Sequence, residues 1–103
     1  MNSRTKGHGF EREVVRILKS KGIKAKRMLE YQEGLGYDVK TDRFIIQCKN
    51  RANPDIFRAL NEVLQVNDKR LKIAIIKHTK KGKILRGVPI VVMRLSDYLC
   101  LCE

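Results

Sequence analysis

An α/β fold, with a mixed β-sheet covered by helices on both faces, is expected from three observations. Apolar residues switch between helical and strand spacing in the order αβββαββα. Residues 72–77 and 88–93 are short apolar runs of strand length. A chain of 103 residues that is 43% hydrophobic has enough apolar material for one core, so residues 1–103 are expected to form a single domain.

Residues 1–6 are polar and basic and predict a loose arm. Phe10, Val14, Val15, Ile17 and Leu18 fall at helical spacing and predict a helix over 9–20. Gly22 is its expected stop, with Lys19 and Lys21 placed where the helix dipole favours cations. Ile23, Ala25 and Met28 predict a short strand over 23–29. Gly34 and Gly36 mark a loop over 30–36. Residues 37–40 and 43–49 read as two strands around a tight Thr41-Asp42 turn. Asn53-Pro54 is a helix-start signal, followed by Ile56, Leu60, Val63 and Leu64 on one face. The strands over 72–77 and 88–93 flank a basic loop carrying Lys80, Lys81 and Lys83. Ser96 is the expected cap of a last short helix through Asp97, Tyr98 and Leu99.

Lys and Arg number 23 against 11 acids, a net charge of +12 and a pI near 10. So basic a domain favours a polyanionic partner, nucleic acid, over charge carried for solubility alone. No apolar run reaches membrane-span length and the N-terminus has no secretory h-region, so a cytoplasmic location and no membrane partner are expected. The three cysteines, Cys48, Cys100 and Cys102, lack zinc-site spacing and read as reduced packing residues.

The chemistry-bearing groups lie in the predicted hairpin. With Thr41 and Asp42 as the turn, Asp38 opposes Ile45 and shares a face with Gln47 and Lys49. Val39, Phe44, Ile46 and Cys48 form the opposite, apolar face. Asp38 offers an anionic oxygen, Gln47 an amide oxygen and the Cys48 backbone carbonyl a third, a set suited to Mg²⁺. Lys49 would stand beside the reacting water or phosphate. On a helical wheel Glu11 falls inside the apolar arc, between Leu18 and Val15. A carboxylate there needs a partner: a metal reached through water, Lys49, or an ordinary salt bridge to a neighbouring Lys or Arg. An acid followed by a Q-x-K triplet is a common pattern taken alone. Hairpin parity, the inward Glu11 and the basic balance together raise its weight.

At these residues the chain resembles the PD-(D/E)xK nuclease superfamily, whose core motif is an acid, a spacer, then an acid or Gln, any residue, and Lys. Here that is Asp38 with Gln47-Cys48-Lys49. Within it the chain is most similar to Holliday junction resolvases of archaeal and viral type, through Lys6-Gly7, Phe10-Glu11-Arg12-Glu13 and the turn at Lys21-Gly22. The resemblance covers the first half of the chain well and the second half in element order. It implies a restriction-endonuclease-like fold, a homodimer, and Mg²⁺-dependent cleavage of branched DNA, with Mn²⁺ able to substitute. It implies Glu11 as the helix-borne acid, Asp38 as principal metal ligand, Gln47 at the usual Glu position, and Lys49 as catalytic lysine. Gln47 itself resembles the Q-x-K form of type IV restriction endonucleases. The loop before Asp38 lacks the serine many archaeal resolvases carry there, and holds Glu30 and Glu33 as solvated acids or further ligands. A restriction- or repair-type nuclease, a binding module of the same fold, and an RNA substrate are the alternatives.

Phosphate contacts are expected from Arg4, Lys6, Arg12, Arg16, Lys24, Lys26 and Arg27, with Lys80, Lys81 and Lys83 as a second patch. Tyr31 and Tyr37 are placed to stack on a base or to pack in the core, and His8 to touch phosphate.

Overall fold

Amphipathic spacing at the N-terminus becomes α1, Ser3–Ser20, followed by β1 (Ala25–Arg27), β2 (Val39–Thr41), β3 (Phe44–Arg51), α2 (Ile56–Leu64), β4 (Leu71–His78), β5 (Ile90–Val92) and α3 (Leu95–Cys102). This computed structural model describes residues 3–28 and 36–103, with side chains from His8 onward. The expected αβββαββα order is the one observed. The sheet runs β1-β2-β3-β4-β5. Among the described residues β3 and β4 pair in parallel, joined by the α2 crossover, and the other neighbours pair antiparallel.

Residues 1 and 2 of the expected arm lie outside the described residues, and from Ser3 the backbone is helical. Phe10 and Val14 anchor the helix in the core, and extending a nucleated helix is cheaper than starting one. The helix stops as expected. Gly22 takes φ +79°, its N–H donates to the Lys19 carbonyl (3.0 Å), and that of Ile23 donates to Leu18 (3.1 Å).

Strand alternation sorts the core into two layers. Phe10 and Val14 of α1 pack on Val39, Ile46, Cys48, Ile73 and Ile75. On the other face Val63 of α2 packs with Tyr37 and Ile45, and Ala59 with Ala74 and Ile76. Ile45, Ile46, Ile76, Val39 and Val63 are fully buried, each contributing about 1.5–3 kcal/mol of transfer free energy.

The hairpin turn is longer than expected. Lys40 pairs with Ile45 and Val39 with Ile46, so residues 41–44 form the connection. The Thr41 hydroxyl accepts the N–H groups of Arg43 (3.2 Å) and Phe44 (2.9 Å), which a two-residue turn would have left to the ladder. The register moves by two residues, so the faces keep their parity. Asp55, not Asn53, caps α2: its carboxylate accepts the Arg58 N–H at 3.0 Å, beside the positive helix end. Ser96 lies inside α3, where Arg94 is the cap residue and its guanidinium holds buried Asp97 at 2.9 Å. Among the described residues no helix is long and apolar enough to cross a membrane.

Candidate active site at the end of the sheet

β1, β3 and β4 run in the same direction, and β2 runs against them. One end of the sheet therefore gathers the last residue of β1 (Arg27), the residue just before β2 (Asp38), and the last residues of β3 (Lys49 to Arg51). The Thr79 N–H bonds to the Arg51 carbonyl at 3.1 Å, which brings the start of the Lys80–Lys83 loop to the same end. The crevice beyond the carboxyl ends of parallel strands is a frequent ligand site in α/β folds.

Here β2 leaves β3. Regular pairing ends at Val39 and Ile46. The Asp38 N–H still donates to Ile46 O at 2.9 Å, but the next amide on that edge, Cys48 N–H, donates to the Asp38 carboxylate at 2.8 Å. A side chain has taken over where a strand carbonyl would otherwise accept. In a strand the N–H and C=O of one residue point to the same side. The Cys48 carbonyl thus faces the opening that Asp38 borders. The Cys48 side chain packs in the core with Val39, Ile46 and Ile75, and burial first, then the charges of Asp38 and Glu11, push its thiol pKa well above the usual 9.0.

Glu11 reaches the same place from α1. Its pKa is raised from 4.5, chiefly by burial and next by the negative charge of Asp38; the Arg27 hydrogen bond and charge, then His8, pull the other way. Arg27 Nε donates to Glu11 Oε1 at 3.3 Å. Of the three partners expected for Glu11 the structure gives the salt bridge, and the Lys49 option is corrected: that ammonium is held elsewhere. Arg27, expected on phosphate, is half-buried in this pair.

Gln47 and Lys49 project from the α2 face of β3 and meet an acid that the sequence reading missed. Glu62 Oε2 accepts from Gln47 Nε2 at 2.6 Å and lies 3.4 Å from Lys49 Nζ. Arg58 flanks its other oxygen at 3.6 Å. A wheel of α2 holds the missing signal, because Glu62 falls between the buried stripe of Ala59 and Val63 and its polar flank. Beside it a pocket of about 220 Å³ is lined by Lys49, Arg51, Asn53, Arg58 and Glu62.

Two groups therefore meet along residues 47–49: Glu11, Asp38 and the Cys48 backbone on one side, Gln47, Lys49 and Glu62 on the other. The face expected to be shared by Asp38, Gln47 and Lys49 is thus corrected: regular pairing stops at Val39, and the Asp38 carboxylate turns to the Cys48 amide. Two carboxylates and a backbone carbonyl suit a hard, oxygen-seeking cation, and the Asp38 charge that, after burial, raises the Glu11 pKa is a repulsion such a cation would relieve. No group of three or more His, Cys, Asp or Glu side chains gathers among the described residues, so a bound cation would rest on neutral oxygens as well.

Arg12, Arg16, Lys19, Lys26 and Arg27 line a groove between α1 and β1 that borders Glu11. Lys24 is exposed nearby; Lys80, Lys81 and Lys83 are exposed beyond β4. Tyr37 is core, not a stacking platform. The side chains of Arg4 and Lys6, and all of Glu30, Tyr31 and Glu33, lie outside the described residues. No family model matches the chain, and a search of curated proteins returns no match.

Proposed function

We propose that this chain is a metal-dependent endodeoxyribonuclease of PD-(D/E)xK type that cuts branched DNA such as a four-way junction. The observation that carries it is the opening where β2 leaves β3, with the Asp38 carboxylate on the Cys48 amide, Glu11 beside it and Lys49 nearby on the same strand. Asp38, Glu11, the Cys48 carbonyl and the Gln47 amide oxygen would hold Mg²⁺ or Mn²⁺. Such an ion polarises a phosphodiester and lowers the pKa of its water. The Lys49 ammonium neutralises charge that grows on the phosphate as the bond to the leaving oxygen breaks. The basic groove along α1 and β1 seats backbone phosphates and reads no sequence. Two copies would place two such sites on a substrate with two strands to cut.

The test is incubation with four-way junction and linear duplex DNA in Mg²⁺, beside Asp38→Asn. Asparagine still offers an oxygen to the Cys48 N–H, so the strand junction survives while the anionic ligand is lost. Junction cleavage should fall by about 100-fold or more in the variant. No cleavage of any DNA by the wild type would sink the enzyme. Equal cutting of linear duplex would move the assignment to a restriction- or repair-type nuclease, which Gln47 favours. Binding that is salt-sensitive, indifferent to Mg²⁺ and unchanged by Lys49→Ala would leave a nucleic-acid-binding module.

A further inference from the structure

A carboxamide is an ambiguous neighbour for a cation. Its oxygen binds, its NH₂ repels, and the two ends have almost the same shape. Gln47 is buried, so water cannot turn it freely. What decides its orientation is the group packed against it, and that group is Glu62. An ionised carboxylate only accepts hydrogen bonds. At 2.6 Å from Glu62 Oε2, the Gln47 nitrogen must be the donor, so the amide oxygen is turned away from α2. The same Glu62 oxygen sits 3.4 Å from the Lys49 ammonium, and Arg58, one turn earlier on α2, braces the other oxygen at 3.6 Å.

We propose that Glu62 is a positioning residue that turns the Gln47 amide oxygen toward a bound divalent cation and tethers Lys49 beside it. It rests on the nuclease function proposed above. Glu62 acts through Gln47 and Lys49 and itself contacts no substrate. It compensates for the neutral residue at position 47: a carboxylate there would need no such orientation, and would face Glu62 as a like charge.

That last point supplies the experiment. Thermal unfolding of metal-free protein is compared for the wild type, Gln47→Glu, Glu62→Gln and the double swap Gln47→Glu/Glu62→Gln. Gln47→Glu alone sets two carboxylates at hydrogen-bond distance and should lower Tm most. The double swap reverses donor and acceptor and should recover most of that loss. Mn²⁺ binding is then measured by calorimetry. Glu62→Gln should weaken it about tenfold or more, as loss of an outer partner does at metal sites. The double swap should restore wild-type affinity or better. Single-variant Tm losses that merely add in the double swap, or unchanged Mn²⁺ affinity in Glu62→Gln, would overturn the positioning role and leave the nuclease assignment standing. A wild type that binds no Mn²⁺ and cuts no DNA would overturn both. The metal-free cycle would still report whether Glu62 holds Gln47.

Discussion

The Glu11 carboxyl stands between opposed influences. Burial and the charge of Asp38 favour its protonated form, and Arg27 favours the ionised one; the balance raises its pKa. An acid whose pKa is higher folded than unfolded binds its proton more tightly in the fold. Its contribution to stability is fully present below the ordinary 4.5 and is lost as pH rises through the raised value. Glu11→Gln removes the charge, keeps the shape and should unfold at a higher temperature than wild type at neutral pH. The gap should close as pH falls below 4.5. Thermal unfolding measured across pH checks this, and a gap independent of pH would mean that the Glu11 charge costs the fold nothing. A stability cost at one acid is what a cation-binding function would retain, because the ion removes it.

The element that aims the site is the β2–β3 hairpin, and its geometry hangs on one hydroxyl. Thr41 is buried and accepts two backbone N–H groups across the turn. Thr41→Val keeps the branched shape and deletes both acceptor bonds. It should cost roughly 1–3 kcal/mol in chemical denaturation, with Thr41→Ser costing less because the oxygen remains. Gly36 sets the approach to the same hairpin. Its φ is +86°, and a Cβ there would come 3.0 Å from Val66 Cγ2. Both the left-handed backbone and the close contact with the α2 side of the core call for glycine at that point.

At the scale of the whole molecule the surface is divided. Cations line the α1–β1 groove and gather where the sheet ends. Apolar side chains are also exposed on edge strand β5 and on α3, which follows it in the chain: Val91, Leu95, Tyr98 and Leu99 are each more than half exposed. Large exposed apolar side chains on an edge strand and its neighbouring helix suit self-association. Light scattering should return the mass of two 12.0 kDa chains, and Leu95→Glu with Leu99→Glu should return one. A monomer bound to junction DNA would count against paired symmetric incision.

Much of the architecture was legible because it is written in local periods. The 3.6-residue spacing of α1, the alternation in β3 and the glycine at position 22 each act within a few residues, so all three were readable in the chain. Face parity held for the paired residues of the hairpin, where the register shift is two residues, but not at Asp38, which lies beyond the last pair and turns to the Cys48 amide and Glu11. The partners of the site residues were not legible. Arg27 on Glu11, Glu62 on Gln47 and Lys49, and Asp38 on the Cys48 amide all join segments that are distant in the chain. The sequence by itself determined the order of helices and strands, the helix stop at Gly22 and the face of each residue in the paired part of β2 and β3. Only the tertiary structure decided which charges meet, because that depends on where α1 and α2 land on the two faces of the sheet and where β2 parts from β3.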